Sequence, residues 1–544
     1  MVGARLALAL VLLTSACQAA PATPTQTPVS PSPTQAAPAP TSTGTVPPQS
    51  PAPNVTSTPK PPITPLPLQT PNPGGLDPRF GIAEGFRNPG VMADIGAGWE
   101  RVVLSWADIQ PDGPDDFSWL GRTLPPRVLA GELNRGVRMA GLLQFTPGWA
   151  AIATDLEDPG RSVPRNLDLP DDDPRNYWGR FVYETVKYYT GRIDEWIVWN
   201  EPEFQQADAA GKGSYTWLGS DQQFARLMQV AYRAAKRANP QAIVAFPGTS
   251  YWVDQNSGRP QFYERFLRLL ASDPEAASHH FFHDAVPLNL YRAPDDLVRL
   301  HQEFVTTQQR YGVTDTPVWL LELNAMPTDD VSIPCADRHA HNPIQTTQAQ
   351  QAAYAVEALA LAAAVDYARI GFYQMVDDNP CNQSAVWGIT RDDGSRRPVA
   401  VSLRTAIQTF SGFSSARFAP LSRSRARWSA WPTDPKSYIP NWQVYEVALA
   451  MPGNRRVTVL WNGDGEPVRV RIPRRANAGH LLDSQNSVVS GPILIGQDWA
   501  IDLPAATAHY AGDPLGYYFI GGEPRILIEE SVPVDAPVVA PRLG

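Results

Sequence analysis

The stretch Trp196-Ile197-Val198-Trp199-Asn200-Glu201-Pro202-Glu203 decides how this chain is read. Its first four residues are bulky and apolar, as in a strand buried on both faces. Pro202 cannot donate to a sheet ladder and biases the residue before it toward extended geometry. Glu201 is therefore expected at the very end of a strand, facing out of the sheet. Parallel α/β sheets and barrels bind ligands at that end, so a carboxylate there is a candidate acid or base. Glu203 lies beyond the strand end and is set aside as a catalyst. A second run, Val318-Trp319-Leu320-Leu321-Glu322-Leu323-Asn324, also ends near a glutamate. Alone, either glutamate reads as a solvated or ion-paired side chain. The tryptophan-rich strands leading into both argue against a solvated surface. Two glutamates on two strand ends suit the paired-carboxylate chemistry of glycoside cleavage.

Outward from these two strands the pattern repeats. Residues 80–83, 101–106, 242–246 and 369–375 read as further strands, and segments 137–145 and 284–291 each hold another. Between them, Trp178, Phe181, Val182, Thr185 and Tyr189 recur at helical spacing. So do Phe224, Leu227, Met228, Val230 and Ala231, and then Phe262, Phe266, Leu269 and Leu270. An alanine-rich stretch, 348–365, predicts a long helix; Gln350, Gln351 and Glu357 argue against its crossing a membrane. Eight such alternations across residues 76–411 predict a (β/α)8 TIM barrel, an α/β fold. A doubly wound open sheet is the competing architecture, and it is disfavoured because no glycine-rich phosphate loop follows the first strand.

After Phe410 the pattern turns to short alternating strands. These predict a small all-β sandwich over residues 412–530 and a loose tail over 531–544. Asn462-Gly463-Asp464-Gly465 predicts a hairpin turn there. A structural role is the default for this domain, with sugar binding as the other reading.

Trp-Asn-Glu-Pro at 199–202, with Trp-Leu-Leu-Glu-Leu-Asn at 319–324, resembles the clan A retaining glycoside hydrolases, most of all the family 39 type that includes β-xylosidases. The resemblance implies that Glu201 is the acid/base at the end of strand four and Glu322 the nucleophile at the end of strand seven. It implies that Asn200 bonds a sugar 2-hydroxyl, that Tyr291 donates to the nucleophile and that Arg101 lies near it. For Asn200 a strand-end cap is the other reading, and for Arg101 a structural ion pair. Trp387 resembles the loop tryptophan that floors the sugar subsite. Asn289 stands where related enzymes often carry histidine. Trp149, like Trp106 and Trp252, follows a strand and is a candidate lining of the cleft. The clan implies no cofactor and a β-linked oligo- or polysaccharide substrate. A transglycosylase, or a non-catalytic tethered carbohydrate-binding protein on a decayed barrel, are the alternatives.

Composition agrees with this. The 544 residues are 43% hydrophobic, enough for two globular domains plus extras. The net charge of −9 and the absence of a basic run give no sign of nucleic-acid binding. Residues 1–17 combine Arg5, an apolar run from Leu6 to Leu13 and small residues before Cys17, which is the pattern of a secretory signal. They resemble a bacterial lipoprotein box with Cys17 acylated, although Thr14 stands where leucine is usual; plain secretion is the alternative. Residues 18–75 are almost all Pro, Thr, Ser, Ala and Gln, a spacer suited to a membrane tether. Cys335 and Cys381 fall in the loops after strands seven and eight, neighbours in a closed barrel, so an exported chain can join them in a disulfide. Two free thiols are the other reading. No His/Cys cluster suggests a metal. Oligomeric state is not legible.

Overall fold

The computed structural model describes residues 75–119, 124–153, 158–204, 216–333, 346–377, 386–422, 442–509, 518–532 and 541–543. Cys17 with the leader, the spacer up to residue 74, Cys335 and Cys381 lie outside the described residues.

Among the described residues, nine short parallel strands form the sheet of the first domain: β1 (Asp77–Ala83), β2 (Ala97–Ser105), β3 (Arg138–Gln144), β4 (Glu195–Val198), β5 (Ile243–Ala245), β6 (Thr249–Ser250), β7 (Val286–Leu290), β8 (Val318–Leu323) and β9 (Arg369–Phe372). They lie in the order β5-β4-β3-β2-β1-β9-β8-β7-β6. β5 and β6 are two pieces of one strand, interrupted at Pro247-Gly248. Ala245, at the end of β5, bridges Ala285 just before β7, and β6 pairs with β7. The ring therefore closes as an eight-stranded barrel, and the open-sheet alternative falls. Reading residues 242–246 as a strand placed the break correctly and missed the resumption at Thr249–Ser250.

Alternation along the strands sorts the side chains. Trp99, Ala140, Leu142, Ile197, Ala245, Ala285, Trp319 and Leu321 form one apolar cluster inside the barrel. The Trp99 indole occupies the space beside Gly81, where a Cβ would lie 2.4 Å from the ring. The opposite parity, including Val102, Leu104, Trp196, Val198, Leu288 and Leu320, packs outward on the helices. Those helices include α1 (Pro89–Ile95), α2 (Trp106–Ile109), α3 (Pro126–Asn134), α4 (Tyr177–Tyr189), α5 (Asp221–Ala238), α6 (Tyr251–Asn256), α7 (Phe262–Leu270), α8 (Asp296–Arg310), α9 (Gln348–Ala364) and α10 (Pro398–Phe410). Capping boxes fix two starts, Ser220 with Gln223 for α5 and Thr347 with Gln350 for α9. Helix α9 is buried on nearly every side because it lies between the barrel and the second domain.

That second domain is a sandwich of antiparallel sheets. Its larger sheet includes β10 (Ser415–Phe418), β11 (Leu421–Ser422), β12 (Trp442–Met451), β13 (Arg455–Asn462), β15 (Gly479–Leu482), β16 (Val488–Val489) and β21 (Arg525–Glu529). Its smaller sheet includes β14 (Val468–Pro473), β17 (Ile493–Ile495), β18 (Asp498–Leu503) and β22 (Arg542–Leu543), while β19 (Ala508–His509) pairs with β20 (Tyr518–Ile520). Val444, Leu460, Leu481 and Leu527 from one meet Val470, Ile472, Trp499 and Ile501 from the other. The outer face of the larger sheet, with Tyr445, Val447 and Trp461, joins the barrel's own core. Tyr445 Oη donates to Asp295 (3.0 Å), and the Gly521 N–H donates to Glu357 on α9 (3.1 Å).

Two expectations are corrected here. The turn at Asn462-Gly463-Asp464-Gly465 is no hairpin: β13 pairs with β12 and β21, and the chain crosses there to the other sheet. The hairpin is one strand earlier, at Pro452-Gly453-Asn454, where Gly453 and Asn454 both take positive φ (74° and 58°). The tail is not loose throughout either. Arg542 and Leu543 pair with Arg471 and Val470 on β14, and Arg542 makes an ion pair with Asp498.

Candidate active site

Both glutamates reach the C-terminal mouth of the barrel, each through a departure from regular strand geometry. On β4, Ile197 faces in and Val198 faces out. Trp199 then takes φ 69° and turns outward between Trp178 and Trp217. Its indole N–H donates to the Thr216 carbonyl (3.0 Å), and the Thr216 hydroxyl donates to the Glu201 carbonyl (2.6 Å). Glu201, with φ 47°, keeps a backbone bond to Gly248 (2.9 Å). Positive φ at two non-glycine residues costs on the order of 1–3 kcal/mol each and clusters at functional sites.

On β8 the device is a bulge. Leu288 pairs with Leu320 but Asn289 pairs with Glu322, so one residue is skipped. The register with β9 shifts over the same interval. Leu321 faces the barrel interior and Leu323 faces the helices. The extra residue lets Glu322 turn inward next to Leu321.

The two carboxyls sit in different company. Glu322 is ion-paired with Arg101 through one oxygen and accepts from Tyr291 Oη through the other (2.5 Å). All three side chains are buried. Burial by itself would weaken Arg101's hold on its proton, but the adjacent Glu322 charge more than offsets this and pushes its pKa up. Burial and the same charge push the Tyr291 phenol well above its ordinary range, so it stays a donor. Glu201 is bonded instead to the Asn289 amide (3.0 Å), which also reaches Asn200 Oδ1 (3.3 Å). Burial first, and the Glu322 charge second, push Glu201 up to about 8 against the opposing pull of Asn289 and Arg101. Glu201 therefore carries a proton at neutral pH beside an ion-paired Glu322, which is the division that acid–base chemistry with a carboxylate nucleophile requires.

Arg101, Asn200, Asn289 and Tyr291 thus gather around the two glutamates. Trp387 packs on Tyr291 (centroids 4.8 Å apart) in a cluster with Ala83, Met326 and Tyr373. Trp149 keeps other company among the described residues. Its indole N–H donates to the Gln110 carbonyl (2.8 Å), and its ring meets Trp106 and Tyr177 edge-on. Trp106 is wholly buried against Trp178 and Phe181, so it does not line the cleft. Trp252 lies under the Arg292 guanidinium, 3.6 Å from the ring centre.

Sequence reasoning missed three supports. Asn324 donates to the Trp387 carbonyl (2.9 Å) and to that of Tyr373; its parity with Glu322, two residues on, was the available signal. Arg397, fully buried, grips Asp377 with two nitrogens (2.9 and 2.7 Å), bonds Asp330 (2.7 Å) and reaches the Gly388 carbonyl, fixing the loop that carries Trp387. Glu203, set aside as lying past the strand, is completely buried.

No family model and no curated protein matches the sequence. Among solved structures, the fold is similar to a family 39 glycoside hydrolase from the gut symbiont Bacteroides cellulosilyticus WH2, with TM-score 0.56 and 14% identity over 84% of this chain and 82% of that one. It is similar also to the GH39 enzyme from Xanthomonas axonopodis pv. citri, with TM-score 0.52 and 14% identity over 84% and 94%. A glycoside hydrolase family 30 subfamily 8 xylanase from Clostridium acetobutylicum gives TM-score 0.51 and 11% identity over 83% and 96%. At identities of 11–14% the likeness extends to the fold alone.

Proposed function

We propose that this protein is a retaining glycoside hydrolase acting on β-linked sugars, with Glu201 as acid/base and Glu322 as nucleophile. The observation that carries the reading is the asymmetry of the pair: Glu322 is held by Arg101 and Tyr291, and Glu201 is kept protonated by burial and by Glu322 itself. In the first half-reaction a Glu322 oxygen bonds to the anomeric carbon, the glycosidic C–O bond breaks, and the Glu201 proton goes to the leaving oxygen. Esterification removes the Glu322 charge, so Glu201 loses one reason to hold a proton and becomes the base. In the second half-reaction water bonds to the anomeric carbon, its proton goes to Glu201, and the bond to Glu322 breaks. In this reading Asn200 bonds the sugar 2-hydroxyl and Trp387 stacks under the ring.

The test is a screen of aryl β-xyloside, glucoside, mannoside and galactoside, with NMR of the first-formed anomer. Retention of configuration supports the proposal and inversion overturns it. Glu201→Ala and Glu322→Ala should each lose several orders of magnitude in kcat with folding intact; near-normal turnover by either ends the assignment. Products formed at high acceptor concentration separate hydrolysis from transglycosylation. We take the Cys17 leader and the spacer as a surface tether, for which release of Cys17→Ala into the medium is the check.

A further inference from the structure

A third carboxyl stands behind the acid/base. Glu203 has no solvent exposure and follows Glu201 by two residues. Its Oε1 accepts the backbone N–H of Ser250, the last residue of β6; its Oε2 has no partner among the described residues. Ser250 pairs in register with Asn289 on β7, and Asn289 donates to Glu201. A closed circuit results: the end of β4, the Glu203 side chain, the end of β6, Asn289 and back to Glu201. Gly248 completes the enclosure, since a Cβ there would lie 2.5 Å from Asn289 Oδ1.

Resting on the proposed role of Glu201, we propose that Glu203 is a positioning residue for the acid/base: a neutral carboxylic acid that clamps the end of β4 to the end of β6 and holds Glu201 under the Asn289 amide. Among the described residues, the charged groups facing it leave no counter-ion. Glu201 is one, and Asp254 on α6 is another carboxyl. Arg259 bonds the Glu203 backbone carbonyl (2.9 Å) and reaches Asp254 (2.7 Å), with its charge on the latter; Arg265 also reaches Asp254 (2.9 Å). An ionised carboxylate held only by backbone N–H groups, with no cation among the described residues, is strongly disfavoured at that depth. Burial, and then the proximity of Glu201, push Glu203 well above the ordinary carboxyl range, in agreement with the geometry.

Neutrality matters through the whole cycle. An ionised Glu203 would hold the Glu201 proton in place even after Glu322 is esterified, and the base step would suffer. A neutral Glu203 leaves Glu322 in control of Glu201 in both half-reactions.

The experiment compares Glu203→Gln, Glu203→Asp and the wild type in the full chain. Asp withdraws the carboxyl from Ser250 and should lower kcat by roughly tenfold or more, with KM little changed. Gln keeps a neutral acceptor on Ser250 and should recover most of that loss, with the basic limb of the kcat/KM profile in its wild-type place. A basic limb that moves to lower pH in Glu203→Gln means the wild-type residue is ionised, and overturns the proposal. So does an Asp variant with wild-type kcat. Should Glu203→Asp fail to fold, the carboxylic-acid C=O stretch in the infrared difference between wild type and Glu203→Gln at neutral pH decides, its absence being the negative result. Glu201→Ala with azide rescue is run alongside; if it keeps full activity the acid/base reading fails, independently of where Glu203 stands.

Discussion

Strand β4 carries a glutamate at each end, both buried, and they have opposite fates. Glu195, at the bottom of the barrel, accepts two bonds from the Arg369 guanidinium (2.6 and 3.4 Å), and Arg138 stands 3.8 Å away. Glu201, at the mouth, is hydrogen-bonded by an amide and faces another carboxylate. The side chain is the same and so is the strand. The partners differ, and they separate a structural ion pair from the proposed proton donor. A buried glutamate becomes reactive when its charge is left uncompensated by design, and the fold must carry the cost.

The largest break in this comparison is Glu201→Gln. Activity on an aryl glycoside should fall by about 10²–10⁴, while stability above mildly acidic pH should rise. The unfolded chain releases the Glu201 proton near the ordinary glutamate value, and the folded chain holds it to about 8. Between those values the native state binds more protons, so stability falls as pH rises. Glutamine removes that loss, with a ceiling of roughly 4 to 5 kcal/mol at pH 8 and almost no effect at pH 4.5. Thermal melts at the two pH values read it; an equal shift at both would show the effect is not ionic.

At the other end, Glu195→Ala removes the buried carboxylate that Arg369 binds. It should cost about 3–5 kcal/mol in urea unfolding. Below the transition the pH profile should keep its shape, because Glu195 sits away from the mouth. A moved basic limb would show that the two ends of β4 are not independent.

These contrasts also mark what the sequence could disclose. Strand identities were legible because each is a short apolar run bounded by Pro or Gly, and both glutamates end such runs. Parity put Asn289 and Tyr291 on one face. What was not legible is where parity breaks: the bulge before Glu322, the outward turn of Trp199, and the resumption of strand five after Pro247-Gly248. Each depends on contacts with another strand, and no local pattern encodes it. Trp106 shows the same limit. A tryptophan after a strand can face the cleft or the helices, and Trp178 and Phe181, far along the chain, decide it for Trp106.

A smaller break is Gly248→Ala. The added methyl would press on the Asn289 amide, which has to move to accommodate it. Overpacking of this kind costs about 1–3 kcal/mol, and loss of the amide's aim should lower kcat by about tenfold. A variant with wild-type kcat would mean that the Asn289 bond to Glu201 does not matter for turnover.

The finest adjustment tests that bond as an electrostatic element. The Asn289 amide donates to Glu201 and favours its ionised form, opposing burial and Glu322. Asn289→Leu keeps the branched skeleton of the side chain and keeps water out while removing the donor. The Glu201 proton should then be held more tightly, and the basic limb of kcat/KM should move to higher pH. One hydrogen bond to a charged group is worth about 1.5 kcal/mol, so the shift should be about one pH unit. The direction matters more than the size. A move to lower pH would mean that water has entered and solvated Glu201, and a limb that stays in place would mean that Glu201 is not the group being titrated. In either case the mouth of β4 would owe its behaviour to something other than the amide that now distinguishes it from the guanidinium-bound end.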